Sequence, residues 1–216
     1  MPRGPPLNAG VRRHVLEAGW SGDERTASIV RDSGRSLRLR SSKTVLLVGT
    51  RHDYQIPGNP GSDQFRVLVS AICQERNIRL LAEEMNLDAL SQVGATISIC
   101  KQVADSLAIE HRYCDPSIEE QKALGIANPG KVSAGAFSPT CDYYEPDPEV
   151  REANAIRERR WLEHVIELDL WPALFVCGAH HTESFQNLLQ TRLITVHVLF
   201  PRCGWAPGLA LLAPGR

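Results

Sequence analysis

Short strand-like runs recur along the chain, and four of them end in glycine, histidine or acidic residues. Thr44-Val45-Leu46-Leu47-Val48 and Leu174-Phe175-Val176-Cys177 are apolar without alternation, the pattern of strands covered on both faces. Ile78-Arg79-Leu80-Leu81-Ala82, Ile109 to Cys114, and Ile194 to Phe200 read as three further strands. Between them the apolar positions take helical spacing. Phe65, Val67, Leu68, Ala71 and Ile72 mark a helix to about Arg76, with Ser62 as its expected N-cap. Leu87 to Val93, Ser98 to Leu107, Glu149 to Leu168 and Glu183 to Thr191 read as further helices, and Asp115-Pro116-Ser117-Ile118-Glu119-Glu120 as the start of a short one with Pro near its first turn. Strands alternating with helices predict βαβ units with right-handed crossovers. The expected fold is α/β: a mostly parallel central sheet with helices on both faces, in one compact domain over 44–203.

The flanks have another character. Residues 1–43 are rich in Arg, Gly, Pro and Ser and carry nine Lys or Arg against four Asp or Glu, net +5; they read as a flexible basic extension. Residues 204–216 read as a tail. Gly125 to Pro148 lacks a period and reads as an excursion or lid over the domain, in which Tyr143 and Tyr144 could cover a site.

Overall charge narrows the partners. A formal net charge of −1 over 216 residues gives no electrostatic reason to expect nucleic acid or an anionic membrane surface. No apolar stretch approaches the roughly 18–20 residues that span a bilayer, and the N-terminus lacks the apolar centre of a secretory signal. Six cysteines without a Cys-x-x-Cys pair read as reduced thiols packed as small hydrophobes. Cys177 and Cys114 stand nearest the strand ends and are the candidates should one be nucleophilic. A cytoplasmic location is the expectation.

Chemistry gathers where strands end. In an open parallel sheet, ligands bind beyond the carboxyl ends of the strands. Two Gly-x-x-His tetrapeptides, Gly49-Thr50-Arg51-His52 and Gly178-Ala179-His180-His181, directly follow strands; Glu83-Glu84 follows another, and Asp115 a fourth. Two imidazoles with carboxylates suit a divalent ion, manganese, zinc, cobalt or iron, with His52, Glu84 and His181 as ligands. Without a metal, the same groups suit acid, base and electrostatic roles in ester or amide hydrolysis. Strand side chains alternate faces, so Glu83 and Glu84 can both reach one site only where the strand ends and the chain turns; Glu84 is the expected inner carboxylate, and Glu83 is either an alternative for the same site or a partner for a nearby Arg or helix N-terminus. His181 is favoured over His180 by its spacing from Gly178. Asp115 competes with a simpler role in capping the helix that follows it. Tyr54 and Gln55, just after His52, would contact substrate or pack the loop. Arg157 by composition is one of many charges on its helix, but Trp161, four residues on, shares its face.

These segments together resemble the superfamily that includes Tiki, TraB/GumN-like, ChaN-like and erythromycin-esterase-like proteins. Gly49-Thr50-Arg51-His52 and Gly178-Ala179-His180-His181 resemble its paired Gly-x-x-His motifs, and Ala82-Glu83-Glu84-Met85 its carboxylate segment. Arg157-Glu158-Arg159-Arg160-Trp161 is similar to its Arg-polar-x-x-large-apolar helix segment. The resemblance spans roughly 44–200 through four short motifs, and departs from the family in His180, where a small residue is more usual. It implies a site of His52, Glu84, Arg157 and His181, with Arg157 stabilising an oxyanion or a substrate carboxylate. Its members include metal-dependent proteases, lactone-opening esterases and haem-binding proteins. The expectation is therefore a hydrolase of a small-molecule or peptide substrate; the alternative is a non-catalytic protein binding haem, a metal or a small ligand in the same cleft.

Overall fold

The computed structural model describes residues 43–126 and 147–200. The extension before Lys43, the central part of the Gly125–Pro148 excursion with Tyr143 and Tyr144, and the tail all lie outside the described residues. Five strands, β1 (Thr44–Thr50), β2 (Leu80–Glu83), β3 (Glu110–Tyr113), β4 (Ala173–Gly178) and β5 (Thr195–Leu199), form one sheet. Its order is β3-β2-β4-β1-β5, and every pairing is parallel. Among the described residues six α-helices connect them: α1 (Ser62–Glu75), α2 (Leu87–Gln92), α3 (Ile99–Leu107), α4 (Ile118–Ala123), α5 (Pro148–Leu168) and α6 (Thr182–Gln190). The architecture is the α/β sandwich that the alternation of periods predicts.

The central strands are buried along their whole length, which is why their sequences show no alternation. Successive side chains still go to opposite faces. Leu46, Val48, Leu81, Leu174 and Val176 pack with Phe65, Leu68, Val69 and Ile72 of α1 and with Val103 of α3. Val45, Leu47, Leu80, Ala82 and Phe175 pack on the other face with Trp161, Leu162 and Val165 of α5 and with Phe185 and Leu189 of α6.

Strand order locates the crevice. β4 lies between β1 and β2. From β1 the chain departs to α1 on one face, whereas from β4 it departs to α6 on the other. Adjacent strands whose chains leave toward opposite faces open a gap beyond their carboxyl ends, the topological switch point where ligands bind in such sheets. Both Gly-x-x-His segments border that gap.

Two helix starts differ from expectation. Gly61, at φ 90, occupies the cap position of α1, and Ser62 is its first residue, with Oγ donating to Asn59 O at 2.7 Å. For α4, Ser117 is the N-cap in a reciprocal capping box with Glu120. That puts Pro116 outside the helix and leaves Asp115 free of any capping role.

Candidate active site

The two glycines of the paired motifs lock the motifs together. β1 and β4 run side by side with Gly49 opposite Cys177 and Thr50 opposite Gly178. A Cβ on Gly49 would lie 2.5 Å from Thr182 Oγ1 and 3.1 Å from Ala179 Cα, so the 3-10 turn Ala179–His181 needs the bare backbone of β1 beneath it. A Cβ on Gly178 would lie 2.9 Å from His52 Nε2 and 3.3 Å from Glu84 Oε2. Each motif's glycine thus makes room for the other half of the site. Gly49→Ala presses on backbone and is expected to cost about 1–3 kcal/mol, read from the urea midpoint. Gly178→Ala meets the movable His52 ring, so it should change stability less while shifting the His52 imidazole resonances.

Glu84 is the hub. It is 3% exposed, one residue past β2, and its backbone N–H donates to Val176 O at 2.8 Å, continuing the ladder to β4. Its Oε2 accepts from Gly178 N–H at 2.7 Å. Its Oε1 accepts from Arg157 Nη2 at 2.7 Å and faces His181 Nε2 at 3.3 Å and His52 Nε2 at 3.8 Å. Burial alone would raise its pKa, but the charges of His181, His52 and Arg157 outweigh burial and hold the carboxyl well below its usual range.

Helix α5 supplies the other half. Asn154, Arg157, Glu158, Trp161, Leu162 and Val165 recur at intervals of three and four, so they share one face. The C-terminal half of that face, Trp161, Leu162 and Val165, packs on the sheet; the N-terminal half stands at the strand ends. Arg157 Nε donates to Asp115 Oδ1 at 2.7 Å, and Trp161 Nε1 donates to the same oxygen at 3.0 Å. Asn86 Nδ2 donates to Asp115 Oδ2 at 3.0 Å. The guanidinium lies 5.4 Å from the centroid of the Trp161 ring. Burial opposes the Arg157 charge, but Glu84 and Asp115 more than offset it and raise its pKa above the ordinary arginine value.

His181 is buried between two carboxylates. Its Nδ1 lies 2.7 Å from Glu158 Oε1 and its Nε2 faces Glu84. Ser184 Oγ donates to the same Glu158 oxygen at 2.6 Å. Both ring nitrogens face acceptor-only oxygens, and the form with two N–H groups is the imidazolium. Burial would lower its pKa, yet Glu84 and Glu158 raise it to about 9. Trp161 packs edge-on against the ring at 4.9 Å. Glu158 is a site residue that the sequence analysis does not single out. Its position three and four residues before Trp161 and Leu162 was the signal.

The remaining candidates separate. Glu83, an alternative for this site, points to the opposite face, as alternation requires. It is fully buried, bonded to Ser98 Oγ and to His111 Nε2, the latter at 2.8 Å, and it makes none of the contacts that join Glu84 to Arg157. His180 is exposed where His181 is buried. Gln55 is fully buried and Tyr54 packs against the α1–α3 core. Cys177 and Cys114 are free but buried, and burial pushes both thiols above their ordinary pKa, which removes them as nucleophiles.

His52 is the accessible member. Its side chain is 40% exposed, at the mouth, with Glu84 behind it. The arrangement can thus present one imidazole for proton transfer against a fixed, buried ionic frame. As ligands for a divalent ion, His52, Glu84 and His181 would be the donor set. In the arrangement described, His181 has both nitrogens engaged and Glu84 Oε1 already holds the Arg157 guanidinium, so a metal would need His181 to lose a proton and would sit beside a cation. Among the described residues no group of three or more His, Cys, Asp or Glu has metal-holding geometry, and no described helix is long and apolar enough to cross a membrane. No family model matches the chain, and neither a curated protein nor a solved structure matches it.

Proposed function

We propose that the chain is a hydrolase of ester or amide bonds, acting in the cytoplasm on a small-molecule or peptide substrate. The observation that carries this reading is the exposed imidazole of His52 set against the buried Glu84–Arg157–His181 cluster at the switch point of the sheet. The resemblance to the Tiki, TraB/GumN-like and erythromycin-esterase-like superfamily supports it, since its four segments are the ones in mutual contact.

In the proposed reaction His52 takes a proton from water as the water oxygen attacks the substrate carbonyl carbon. The carbonyl π electrons move to its oxygen, and Arg157 stabilises the charge that develops there. Collapse breaks the bond to the alcohol or amine, which leaves with the proton that His52 held. Glu84 stays ionised throughout; it stabilises the imidazolium of His52 and keeps Arg157 in place. His181 is a fixed charge in this scheme rather than the base, because Glu84 and Glu158 occupy both its nitrogens.

The test is a panel of chromogenic esters and fluorogenic peptides offered to the wild-type chain and to His52→Ala. Turnover that falls roughly 100-fold or more in His52→Ala, with an unchanged urea midpoint, is the expected result; equal turnover in the two proteins would remove His52 from the chemistry. A second reading, a divalent-ion site, is favoured by the two imidazole Nε2 atoms that face one oxygen of Glu84. Elemental analysis of protein prepared without chelator, beside a His52→Ala, His181→Ala double variant, tests it: near-stoichiometric metal lost in the variant would support the ion. Absence of turnover with specific uptake of haem or another ligand would favour a binding protein.

A further inference from the structure

Arg157 does not use its whole guanidinium on the frame. Nε and Nη2 are committed to Asp115 and Glu84, each at 2.7 Å, whereas Nη1, which carries two N–H groups, has among the described residues a single long contact, 3.5 Å to Asn154 Oδ1. The side chain is 16% exposed, and Nη1 is its end without a close partner among the described residues. Asn154 is one helical turn before Arg157 on the same face. Because α5 leads through a short connection into β4 and packs back along the sheet, its N-terminal direction points out past the strand ends. Asn154 is thus the next side chain outward from the open end of the guanidinium. It is partly exposed, and its Nδ2 has no hydrogen-bond partner among the described residues.

The charges decide what can bind there. Glu84, Asp115 and Glu158 are three carboxylates; Arg157 and the His181 imidazolium are two cations. With His52 neutral the cluster has a net charge of −1, and with His52 protonated it is neutral. Arg51, beside His52, is already paired with Asp53 at 2.7 Å. The cluster therefore has no surplus positive charge for a carboxylate or phosphate, although it offers N–H donors directed at the mouth. An uncharged carbonyl can accept those donors without adding negative charge to a partly buried site. Asn154 can also both donate to and accept from an amide.

We infer that Asn154 and Nη1 of Arg157 form the subsite for the acyl oxygen, and that this subsite selects an uncharged ester or amide group over an anionic one. The inference rests on the hydrolase reading for its catalytic consequence, but not for the binding itself. Arg157 is the group that meets the developing charge, and Asn154 is a specificity-determining residue that orients the carbonyl.

Two measurements on the full chain test it. In the first, the methyl 4-nitrophenyl diester of glutaric acid is compared with the 4-nitrophenyl monoester of the same acid, which differs from it in carrying a free carboxylate. The expected result is kcat/KM at least about tenfold higher for the neutral ester, with Asn154→Ala lowering it roughly three- to tenfold. Equal or better turnover of the anionic ester, or no effect of Asn154→Ala, would overturn the inference. In the second, the side-chain amide of Asn154 and the Nε–H of Arg157 are followed by NMR while N-methylacetamide or acetate is added at equal concentration. Shifts with the amide and none with acetate support the subsite; shifts with acetate, or with neither, overturn it. A protein that binds N-methylacetamide at Asn154 but hydrolyses no ester or peptide would sink the hydrolase reading and leave the subsite standing.

Discussion

Replacing Arg157 by leucine is expected to lower the stability of the fold by about 3–5 kcal/mol, far more than an exposed charge on a helix would warrant. Glu84 and Asp115 are both buried, and each accepts a 2.7 Å hydrogen bond from the guanidinium. Removing the cation leaves two buried carboxylates without their main partner. Protonating Glu84 to escape this costs energy too, because the charges of His181 and His52 still hold its carboxyl down. Arg157→Lys should fall between the two: a single ammonium keeps the charge but cannot span both acids as the planar fork does. The pairing makes a further demand. Arg157→Leu combined with Asp115→Leu should cost less than the two single changes added, since the second change removes a group the first left unpaired. Urea denaturation of these four variants beside the wild-type chain reads all of this, and an Arg157→Leu stability within about 1 kcal/mol of wild type would show that the network does not hold the fold.

The same network explains what the sequence could and could not disclose. The strands were legible because burial on both faces leaves a plain signature: Val45 to Val48 and Leu174 to Cys177 have no polar position. Strand order was not legible. Nothing in the crossover between β1 and β2 says that β4 will later enter between them, yet that insertion creates the crevice. Alternation alone could not separate Glu84 from Glu83, since both can reach one site where a strand ends and the chain turns; the ladder bond from Glu84 N–H to Val176 O carries the alternation one residue past β2 and sends the two to opposite faces. Asp115 was obscured by the helix that follows it, and Ser117, two residues on, turned out to hold the capping role.

Arg157 was a different case. The spacing of charges along Glu149 to Leu168 does not separate it from Arg159 or Arg160; its neighbour Trp161 and the resemblance to a known motif did. Glu158 went unnoticed because an acid in a charged helix is ordinarily solvated. Its burial depends on His181, brought in from 23 residues along the chain. Long-range pairing of that kind has no local signature.

The alkaline side of the stability profile follows from His181. Its pKa is raised from an ordinary value near 6.5 to about 9 in the folded chain, so the imidazolium contributes stability that is fully present below about pH 6.5 and is lost as pH rises through 9. A shift of that size corresponds to about 3 kcal/mol for so buried a group. Other groups act in different windows. Glu84, whose pKa is depressed, adds stability above the ordinary carboxylate range and loses it only as pH falls. His164, lowered by burial and by Arg160 and Arg112, changes charge below about pH 6.5. The buried thiols Cys73, Cys100, Cys114 and Cys177, all raised, favour unfolding only above about pH 8.5, where unfolded thiols ionise. Between about pH 6.5 and 8.5 the slope therefore belongs chiefly to His181. Urea midpoints across that range should fall steadily for the wild-type chain and much less for Glu158→Gln, in which one of the two carboxylates holding the imidazolium is neutral. A flat wild-type profile, or a slope that survives in Glu158→Gln unchanged, would mean that the imidazole is not the charged group that its hydrogen bond with Glu158 and the facing carboxylate of Glu84 favour.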